Sequence, residues 1–524
     1  MLPIEETYSW QVESNQAGAE MGKSVCAAGD VNGDGFDDVI VGAHYYSDPE
    51  YHEGLALVYY GSAVGVEAAP AWQFAPNSNN ASLGVSVSKA GDVNGDGFDD
   101  IIVGARTFSG DLSNEGKVFV FHGSADGLST EPDWTAEGNQ NNSDFGGTVS
   151  DAGDVNGDGY DDIIIGAIFF DNGQTDEGRA YVYYGSAFGI TSMPTILEIN
   201  MANVTFGSHV SGAGDVNGDG FDDVIVGCRK YTNGENAEGA AFLFEGSSSG
   251  LSETYSWLYE SNFANAKLGQ SVSVAGDVNG DSFDDVIISA HNYSNPESDE
   301  GKVWAFYGSP TGLPAFPSWS YESNQINALL GNQVSDAGDV NADGFDDIIV
   351  GSREFSNGEI SEGRAFVFYG SATGLKADDV WHTEINQASA FFGYSVAGAG
   401  DVNNDGADDL IIGAKYWDNS EIDEGGAWVF LGENILIPCT PATAIEALSV
   451  TSTSADIFWT PAPGADKYIL LLRSAGNVSE YTSVGNSKTI YGLTPNTFYQ
   501  LIIVSRCGSD FSQRSAPIIF TTLP

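Results

Sequence analysis

A nine-residue acidic string that recurs at near-constant spacing constrains the fold of this chain more than any other feature. The string DVNGDGFDD begins at Asp30, and close copies begin at Asp92, Asp154, Asp215, Asp277, Asp339 and Asp401. Successive copies are 62, 62, 61, 62, 62 and 62 residues apart. A fixed period of this length predicts a repeat architecture in which each unit is one supersecondary element.

Each unit shows the same order of strand signals around its acidic string. A hydrophobic residue and a glycine, such as Met21-Gly22, precede the string, and a β-branched run such as residues 39–43 follows it. A polar loop with Glu-Gly then leads to an aromatic run such as residues 181–184. A last short segment opens with Trp in units one, two, four, five and six and with Thr195 in the third. Alternating runs bounded by turn residues predict four antiparallel strands per unit and no long helix.

The two ends of the repeat indicate a closed ring rather than an open solenoid. A four-stranded sheet of about 60 residues buries both faces only when it stacks against copies of itself, as in a β-propeller. The seventh unit ends at Leu431-Gly432-Glu433 without a Trp segment, whereas the N-terminus carries one near residues 7–13 with no unit before it. We therefore predict an all-β fold with a seven-bladed β-propeller over residues 1–434, in which the N-terminal strand completes blade seven.

The acidic strings have the composition of calcium loops. Side chains at positions 1, 3, 5 and 9 are oxygen donors and position 7 offers its carbonyl, so one cation can collect them from a tight loop, as Ca²⁺ prefers. No His or Cys is present in the strings, which disfavours zinc and copper. The predicted ligands are Asp30, Asn32, Asp34, Phe36, Asp38, Asp92, Asn94, Asp96, Phe98, Asp100, Asp154, Asn156, Asp158, Tyr160, Asp162, Asp215, Asn217, Asp219, Phe221, Asp223, Asp277, Asn279, Asp281, Phe283, Asp285, Asp339, Asn341, Asp343, Phe345, Asp347, Asp401, Asn403, Asp405, Ala407 and Asp409.

The alternative for these strings is an acidic turn that binds nothing, and the electrostatics count against it. The chain has 74 acidic and 18 basic residues, a formal net charge of −56. Two like charges 4 Å apart repel by about 4 kcal/mol at an effective dielectric of about 20, so three carboxylates in every loop favour a bound cation. We expect about seven Ca²⁺ per chain, one in each blade. Position 6 calls for a positive φ angle, and it is Gly in six copies but Ser282 in the fifth.

These motifs together resemble the FG-GAP repeat, which builds the propeller of integrin α subunits and occurs in many bacterial surface proteins. The resemblance covers about residues 5–434 and rests on the hydrophobic-Gly pair, the acidic loop and the run Val39 to Ala43. It implies calcium in the loops on one face, ligand binding on the opposite face, and adhesion or recognition rather than chemistry. All seven loops are complete, a regularity that resembles the bacterial members more than integrins.

The C-terminal residues 439–524 resemble a fibronectin type III domain, joined by a linker at 435–438. Trp459 lies in an early predicted strand, Tyr468 lies in the next, and residues 493–499 match the tyrosine-corner region. Cys439 and Cys507 flank this domain and would pair in an oxidising compartment, whereas we expect Cys26 and Cys228 to be two buried free thiols. The sequence leaves open whether the Cys439–Cys507 disulfide forms.

Two further rings of residues mark the hairpin opposite the acidic loops. Each unit has an aromatic residue followed seven positions later by a glutamate, and most have a basic residue two positions before the aromatic one. The aromatic residues are Tyr46, Phe108, Phe170, Tyr231, Tyr293, Phe355 and Trp417; the glutamates are Glu53, Glu115, Glu177, Glu238, Glu300, Glu362 and Glu424; the third set is His44, Arg106, Ile168, Arg229, His291, Arg353 and Lys415. We expect the aromatic residue and the glutamate to close each hairpin, with the basic residue paired to the glutamate. The alternative is that the aromatic residues form a rim of binding platforms. The variable hairpin tips 48–52, 112–114 and 296–299 are better candidates for specificity.

The function predicted from these features is a non-enzymatic, calcium-stabilised extracellular or cell-surface module that binds a protein or glycan. No nucleophile–base set, phosphate loop or zinc motif is present in the sequence. The negative charge disfavours nucleic acid and anionic membrane as partners. No apolar run reaches the 18–20 residues of a transmembrane helix and the N-terminus lacks signal-peptide features, so we expect a mature secreted protein or a monomeric piece of a longer chain. Alternatives are a multivalent lectin, a structural unit of a large adhesin, and a polysaccharide-acting enzyme.

Overall fold

The structure is a computed structural model that describes residues 4–5, 7–378, 380–433, 441–462, 465, 467–474, 477–507, 510–512 and 514–524. The chain divides into two compact units, Met1–Asn434 and Ile435–Pro524. Every regular element of the described residues is a β-strand.

The first unit contains seven four-stranded antiparallel sheets, numbered here one to seven by the acidic loop that each carries. The first strands are β2 (Met21–Gly29), β6 (Leu83–Gly91), β10 (Phe145–Gly153), β14 (His209–Gly214), β18 (Val272–Gly276), β22 (Leu330–Gly338) and β26 (Phe392–Gly400). The second strands are β3 (Asp38–Ala43), β7 (Asp100–Ala105), β11 (Asp162–Ala167), β15 (Asp223–Cys228), β19 (Asp285–Ala290), β23 (Asp347–Ser352) and β27 (Asp409–Ala414). The third strands are β4 (Leu55–Tyr59), β8 (Lys117–Phe121), β12 (Arg179–Tyr183), β16 (Ala240–Phe244), β20 (Lys302–Phe306), β24 (Arg364–Phe368) and β28 (Gly426–Phe430). The outer strands are β5 (Trp72–Phe74), β9 (Trp134–Glu137), β13 (Thr195–Leu197), β17 (Trp257–Glu260), β21 (Trp319–Glu322), β25 (Val380–Thr383) and, in sheet seven, β1 (Trp10–Glu13).

The seven sheets form a closed ring with their first strands innermost. Each first strand contacts the first strands of the two neighbouring sheets, and the cycle closes where β26 meets β2. The outer position of sheet seven is filled from the N-terminus, because β1 pairs with β28 from Trp10↔Val429 to Glu13↔Gly426. This is the arrangement of a β-propeller, and it leaves a channel along the axis.

Close approach of backbones explains the glycines that begin the first strands and end the second ones. A Cβ built on Gly42 of sheet one would lie 2.1 Å from the carbonyl oxygen of Gly84 in sheet two. Gly84 itself has a φ of 78°, a conformation that favours glycine. The two glycines therefore let adjacent sheets meet backbone to backbone near the axis.

The hydrophobic core lies between neighbouring sheets. Every residue of the seven second strands is buried, as expected for a strand covered on both faces. The outer-strand tryptophans link one sheet to the next, since the Trp72 indole nitrogen donates to the Ser129 carbonyl at 2.8 Å. Trp10 makes the same bond to Glu67 at 3.0 Å, which fastens the N-terminal strand across the ring closure.

The second unit is a two-sheet sandwich. One sheet contains β29 (Thr443–Leu448), β30 (Ser454–Thr460) and β33 (Ser487–Tyr491); the other contains β31 (Lys467–Ser474), β32 (Asn477–Ser483), β34 (Phe498–Cys507), β35 (Asp510–Phe511) and β36 (Ile518–Thr521). Trp459 and Tyr468 pack edge to face, 5.1 Å apart, inside a shared core. The Tyr499 hydroxyl accepts a hydrogen bond from the Thr494 amide at 2.9 Å, a contact typical of a tyrosine corner.

Two observations complete the description of the chain. Cys26 and Cys228 are free, as the sequence predicts. Cys228 is buried as expected, whereas Cys26 is only partly buried. The predicted linker 435–438 and Cys439 lie outside the described residues, and so does the side chain of Cys507, so the disulfide between these cysteines stays a prediction. No helix long and apolar enough to cross a membrane occurs in the described part of the chain.

Candidate functional site: the acidic loops and the opposite face

The acidic loops fold around the side chain of their first aspartate. In sheet one, Asp30 Oδ1 accepts hydrogen bonds from the backbone amides of Gly33 and Asp34, at 2.7 and 3.0 Å. Asp30 Oδ2 accepts from the amide of Gly35 at 2.9 Å, and the Asn32 side-chain oxygen accepts from Asp34 at 2.9 Å. The structure therefore brings positions 1, 3 and 5 of the loop together, with their oxygens oriented by backbone donors.

Position 9 lies deeper and ties the loop to its own sheet. Asp38 is fully buried; its Oδ2 accepts from the Val31 amide at 3.1 Å, and its Oδ1 accepts from Gly61, in the turn after the third strand, at 2.9 Å. The equivalent aspartates of the other six sheets accept from the equivalent glycines. Burial, helped by the negative charges of Asp34 and Asp30, raises the pKa of Asp38 to about 8.

The backbone at position 6 has the conformation that the glycine pattern predicts. Gly35 has a φ of 90°, and Ser282, which replaces glycine in the fifth loop, has a φ of 73°. The Ser282 amide still donates to Asp277 Oδ2, at 2.7 Å, as the glycines do in their loops. The fifth loop therefore keeps the same geometry with a residue for which this conformation costs about 1–2 kcal/mol.

Position 8 has a role that the sequence analysis did not assign. Asp99 of sheet two accepts a hydrogen bond through Oδ2 from the backbone amide of Asp30 in sheet one, at 2.8 Å. The same bond joins every neighbouring pair of sheets, and the closing one runs from Asp401 to Asp37 at 2.8 Å. At the other five junctions, the equivalent hydrogen bonds are accepted by Asp161, Asp222, Asp284, Asp346 and Asp408. These aspartates form a ring of hydrogen bonds between sheets, and their presence in all seven copies is the signal that could have revealed it.

Positions 4 and 7 interlock across neighbouring loops. A Cβ built on Gly33 would lie 2.5 Å from Cε1 of Phe98, the position-7 ring of the next sheet. Where position 4 of the sixth loop changes to Ala342, position 7 of the seventh loop changes to Ala407. At this junction the ring that would clash is absent together with the glycine, whereas at the ring closure Asn404 replaces the glycine and Phe36 is retained. Position 7 accordingly has a packing role in addition to the carbonyl predicted as a ligand.

The loops suit a hard cation in their donor chemistry, although no metal is part of the structure. Among the described residues, no group of three or more His, Cys, Asp or Glu side chains is placed to hold a metal ion. However, Asn94 Oδ1 and Asn403 Oδ1 at position 3, and Asp223 Oδ2 at position 9, are buried with no hydrogen-bond partner in the described part of the chain. Buried oxygens that lack donors are costly unless a cation or water satisfies them. Three carboxylates, an amide and a carbonyl per loop are the ligands that Ca²⁺ takes, so the donor set fits this ion.

The hairpins between second and third strands form the face opposite the acidic loops. In sheet one the Gly54 amide donates to the Tyr46 carbonyl at 3.0 Å, and the buried Glu53 accepts through Oε1 from the Asp48 amide at 2.9 Å. Both contacts recur in the other sheets. The aromatic residue and the glutamate therefore close each hairpin, as predicted, and the aromatic rings are buried or half-buried rather than open platforms.

The predicted pairing between the basic residue and the hairpin glutamate is wrong. Lys415 Nζ lies 3.1 Å from Glu20 Oε2, and Arg106 Nε lies 4.0 Å from Asp144 Oδ1. Both acids belong to the segments that lead into first strands, so the basic side chains turn towards the axis. Spacing along the chain could not distinguish the two directions, because these residues follow directly on the last residue of a second strand.

The described fold defines a ring of four-stranded β-sheets with acidic loops on one face, and comparison with known proteins agrees with it. The family model "FG-GAP repeat" matches residues 21–59, 83–121, 146–183, 206–241, 268–306 and 392–430. These segments begin at the first strand and reach the third strand of sheets one to five and seven. They support an FG-GAP propeller.

Curated relatives are integrin α subunits. The chain is 29% identical to integrin alpha-5 of Xenopus laevis over 235 residues, which are 42% of this chain and 21% of that protein. It is 34% identical to integrin alpha-3 of Cricetulus griseus over 163 residues (30% and 15%) and 38% identical to integrin alpha-7 of Rattus norvegicus over 143 residues (27% and 12%). The matches thus span about a fifth or less of these relatives. A solved structure titled "Myokine structure" is 14% identical to this chain, and the match covers 16% of this chain and 98% of that one. The TM-score is 0.16. The similarity indicates an adhesion or recognition type of module.

Proposed function

We propose that this chain is a calcium-stabilised extracellular adhesion module: a seven-bladed propeller with one Ca²⁺ in each acidic loop, followed by a fibronectin type III-like domain. Its ligand, a protein or a glycan, binds the face opposite the loops, and the chain performs no catalysis. The observation that carries the calcium assignment is the set of oriented oxygen donors in seven equivalent loops, with Asn94 Oδ1 and Asn403 Oδ1 buried and without donors among the described residues. A cation would satisfy these oxygens and offset the repulsion between carboxylates.

The opposite face favours one asymmetric ligand site over seven equal sugar sites. The seven equivalent aromatic rings are at least half-buried, and several are covered by cationic side chains, as Phe170 is by Arg179 at 4.2 Å. The hairpin tips instead differ among sheets. Three neighbouring sheets of the ring, six, seven and one, carry an exposed apolar residue at the tip. These residues are Ile360, Ile422 and Tyr51, which are 76%, 72% and 60% exposed. Such an arc of exposed apolar residues is typical of a binding surface.

Calorimetry with and without calcium tests the proposal. An ion that binds only the folded state at 100 times its Kd adds about 2.7 kcal/mol, so seven sites would add about 19 kcal/mol. The 434 residues of the first unit have an unfolding entropy of about 0.9 kcal/mol/K at about 2.1 cal/mol/K per residue. Excess chelator should therefore lower the Tm by about 20 °C, whereas Mg²⁺ should restore little of it. Elemental analysis should find about seven Ca²⁺ per chain.

Matched variants locate the ions. Asp96→Ala removes the position-5 carboxylate of the second loop and should lower the bound calcium from seven ions to six. Asp126→Ala removes an exposed carboxylate from a turn outside the loops and should leave the count unchanged. Equal calcium content in all three proteins, or no calcium in any, would sink the assignment of ions to the loops.

A further inference from the structure

The axial channel has opposite charge at its two ends. At the end near the acidic loops, a cavity of 370 Å³ is lined by Asp37, Asp99, Asp151, Asp336 and Asp408 together with Lys89. At the end on the hairpin face, a cavity of 340 Å³ is lined by five cations and only two carboxylates. The cations are Lys23, Arg106, Arg229, Arg353 and Lys415, and the carboxylates are Glu20 and Asp144. A chain with 18 basic residues and a net charge of −56 thus places over a quarter of its cations in one pocket, called the basic pocket below.

Two of these cations, Arg229 and Lys23, form no ion pair in the described part of the chain, whereas Arg106, Arg353 and Lys415 each do. Among the described residues, Arg229 forms no ion pair within 4 Å and no side-chain hydrogen bond, and Lys23 has only the Val85 carbonyl, at 3.4 Å. Arg353 Nε is buried without a hydrogen-bond partner in the described chain, although it lies 3.8 Å from Glu354 Oε1. The charged groups of Lys23, Lys415 and Arg353 also gather over one ring, that of Tyr394, with Nζ or Cζ to centroid distances of 5.2, 4.6 and 5.7 Å. The pocket therefore has spare donors for an anion.

Holding these charges together opposes their ionisation. Burial, with the neighbouring charges of Arg106 and Lys415, lowers the pKa of Lys23. Burial is also the main cause that lowers the pKa of Arg229. A group whose charged form is disfavoured in the folded protein destabilises the fold at neutral pH. The charges of Lys23 and Arg229 therefore do not stabilise the fold, whereas the pKa of Lys415 is raised, against burial, by Tyr394, Tyr416 and Glu20. Charges that the fold leaves uncompensated are expected of a binding site.

Aromatic rings lead from the basic pocket to the hairpin tip of sheet one. His44 and Tyr45 line the pocket, and their ring centroids are 3.9 Å apart. Tyr45 stacks on His52 at 4.5 Å, and His52 stacks on Tyr51 at 3.7 Å. The last ring is 60% exposed. This ladder of four rings gives the pocket a flat, partly open wall on one side.

We propose that the basic pocket binds the carboxylate of an acidic sugar and that the next sugar of the glycan packs against the aromatic ladder. The inference rests on the proposed function, which places the ligand on this face. Arg229 and Arg353 supply planar donors that match a carboxylate. The remaining lining is rich in hydroxyl and amide groups, among them Gln270 and Gln333, which suit sugar hydroxyls better than the apolar side chains of a peptide. The volume lies within the roughly 300–1,000 Å³ range of small-ligand sites.

The charge of the whole protein limits how long an acidic ligand can be. A net charge of −56 repels a polyanion over its length, whereas screening at physiological salt confines these interactions to about 8 Å. A single acidic sugar at the end of a glycan therefore interacts mainly with the charges of the pocket. An extended polyanion would gain contacts only at the axis and meet repulsion elsewhere.

Calorimetric titration of the full chain in calcium tests the inference with a defined probe. The probe is a trisaccharide that ends in D-glucuronate, and the control is the same trisaccharide with that carboxyl methyl-esterified. We expect the acid to bind and the ester to bind at least about tenfold more weakly, because the ester cannot form charge-assisted hydrogen bonds. Equal binding of acid and ester, or no binding of the acid, would overturn the inference.

Two variants with matched controls assign the residues. Arg229→Gln should weaken binding of the acid by about tenfold or more, and Lys230→Gln, which removes the adjacent exposed cation, should not. Tyr51→Ala should weaken the trisaccharide by about two- to tenfold and leave D-glucuronate alone unaffected, since only the longer ligand reaches the ladder. The Tm of Arg229→Gln in calcium should equal or exceed that of the parent, because a crowded charge is lost. An Arg229→Gln protein that is folded and binds the acid as the parent does would refute the site.

A separate arm keeps failure of this inference distinct from failure of the proposed function. Ile360→Asp and Ile422→Asp alter the exposed tips outside the pocket, and all variants are tested on arrays of glycans and proteins. A ligand lost with the tip variants but retained by Arg229→Gln would leave the adhesion proposal standing and reject the acidic sugar. Tighter binding of hexaglutamate than of the trisaccharide would likewise reject a sugar in favour of an acidic peptide.

Discussion

The ring of position-8 aspartates predicts a specific loss of protection when one of them is removed. Asp222 of sheet four accepts the Asp154 amide of sheet three through Oδ2 at 2.8 Å, and its own amide donates to the Asp154 carbonyl at 3.3 Å. Asp222→Ala leaves the Asp154 amide without its acceptor between two packed sheets. An amide left unsatisfied in this way costs about 1–3 kcal/mol.

Hydrogen exchange followed by mass spectrometry reads this effect locally, at constant excess calcium. If opening of the junction governs exchange, a loss of about 1–3 kcal/mol should accelerate exchange of the Asp154 amide by about 5- to 150-fold. Peptides from the other junctions, such as the one that contains Asp339, should keep their protection. An unchanged rate at Asp154 in the Ala variant would refute the view that this carboxylate holds the two sheets together.

The isosteric variant Asp222→Asn separates the acceptor from the charge. The amide oxygen can still accept from Asp154, so exchange should stay near that of the parent. Burial, together with Asp151 and Asp284, raises the pKa of Asp222 in the folded protein. A raised folded pKa means that the aspartate's contribution to stability is present below about pH 3.9, the unfolded value, and is lost as the pH rises through the folded one. The stability of the Asp222→Asn variant relative to the parent, from the denaturant midpoint, should therefore increase from about pH 4 to about pH 7; a decrease would contradict the reasoning.

Three further predictions concern the repeat. Ser282→Gly should stabilise the first unit by about 1 kcal/mol, because Ser282 holds a positive φ, and Gly220→Ser should destabilise it by a similar amount; denaturant midpoints measure both, and equal midpoints would mean no strain. Ala407→Phe should cost about 1–3 kcal/mol by overpacking against Ala342, and Ala342→Gly should rescue it in a double-mutant cycle, whereas additive effects would disprove the interlock. Trp10→Ala should expose the edge of β28 and raise proteolysis near the N-terminus, because the indole that fastens β1 is lost; a cleavage rate equal to that of the parent would contradict this.

The sequence predicts the repeat and the strand types well because each depends on local signals. The period, the turn residues and the alternation of apolar residues recur seven times. A misleading local pattern in one repeat is therefore outweighed by the other six. The N-terminal Trp segment is read correctly as a strand for the same reason: it repeats the pattern of Trp72 and has no sheet before it. The left-handed backbone at position 6 follows from Gly35 and its equivalents.

Contacts between repeats are harder to predict, since they join residues about 62–69 positions apart with no local pattern. Asp99 stands beside Asp100, and only the structure separates their roles: Asp100 binds within its own sheet and Asp99 binds the preceding one. The predicted pairing of Arg229 and its equivalents with the hairpin glutamates was wrong for a related reason. The side chain of a residue that follows a strand can turn towards the hairpin or towards the axis with equal ease.

The regularity of the ring also explains why the axis is the place where its specificity should be sought. A feature that must join each sheet to the next is repeated seven times, as the acidic loops, the closing glutamates and the position-8 aspartates are. By contrast, the position that faces the axis varies among His44, Arg106, Ile168 and Lys415. Because six of these seven side chains line one pocket and they are not all of one kind, the axis can build a single asymmetric site from a symmetric scaffold. The unpaired cations of the basic pocket are the part of this ring that its stability does not explain.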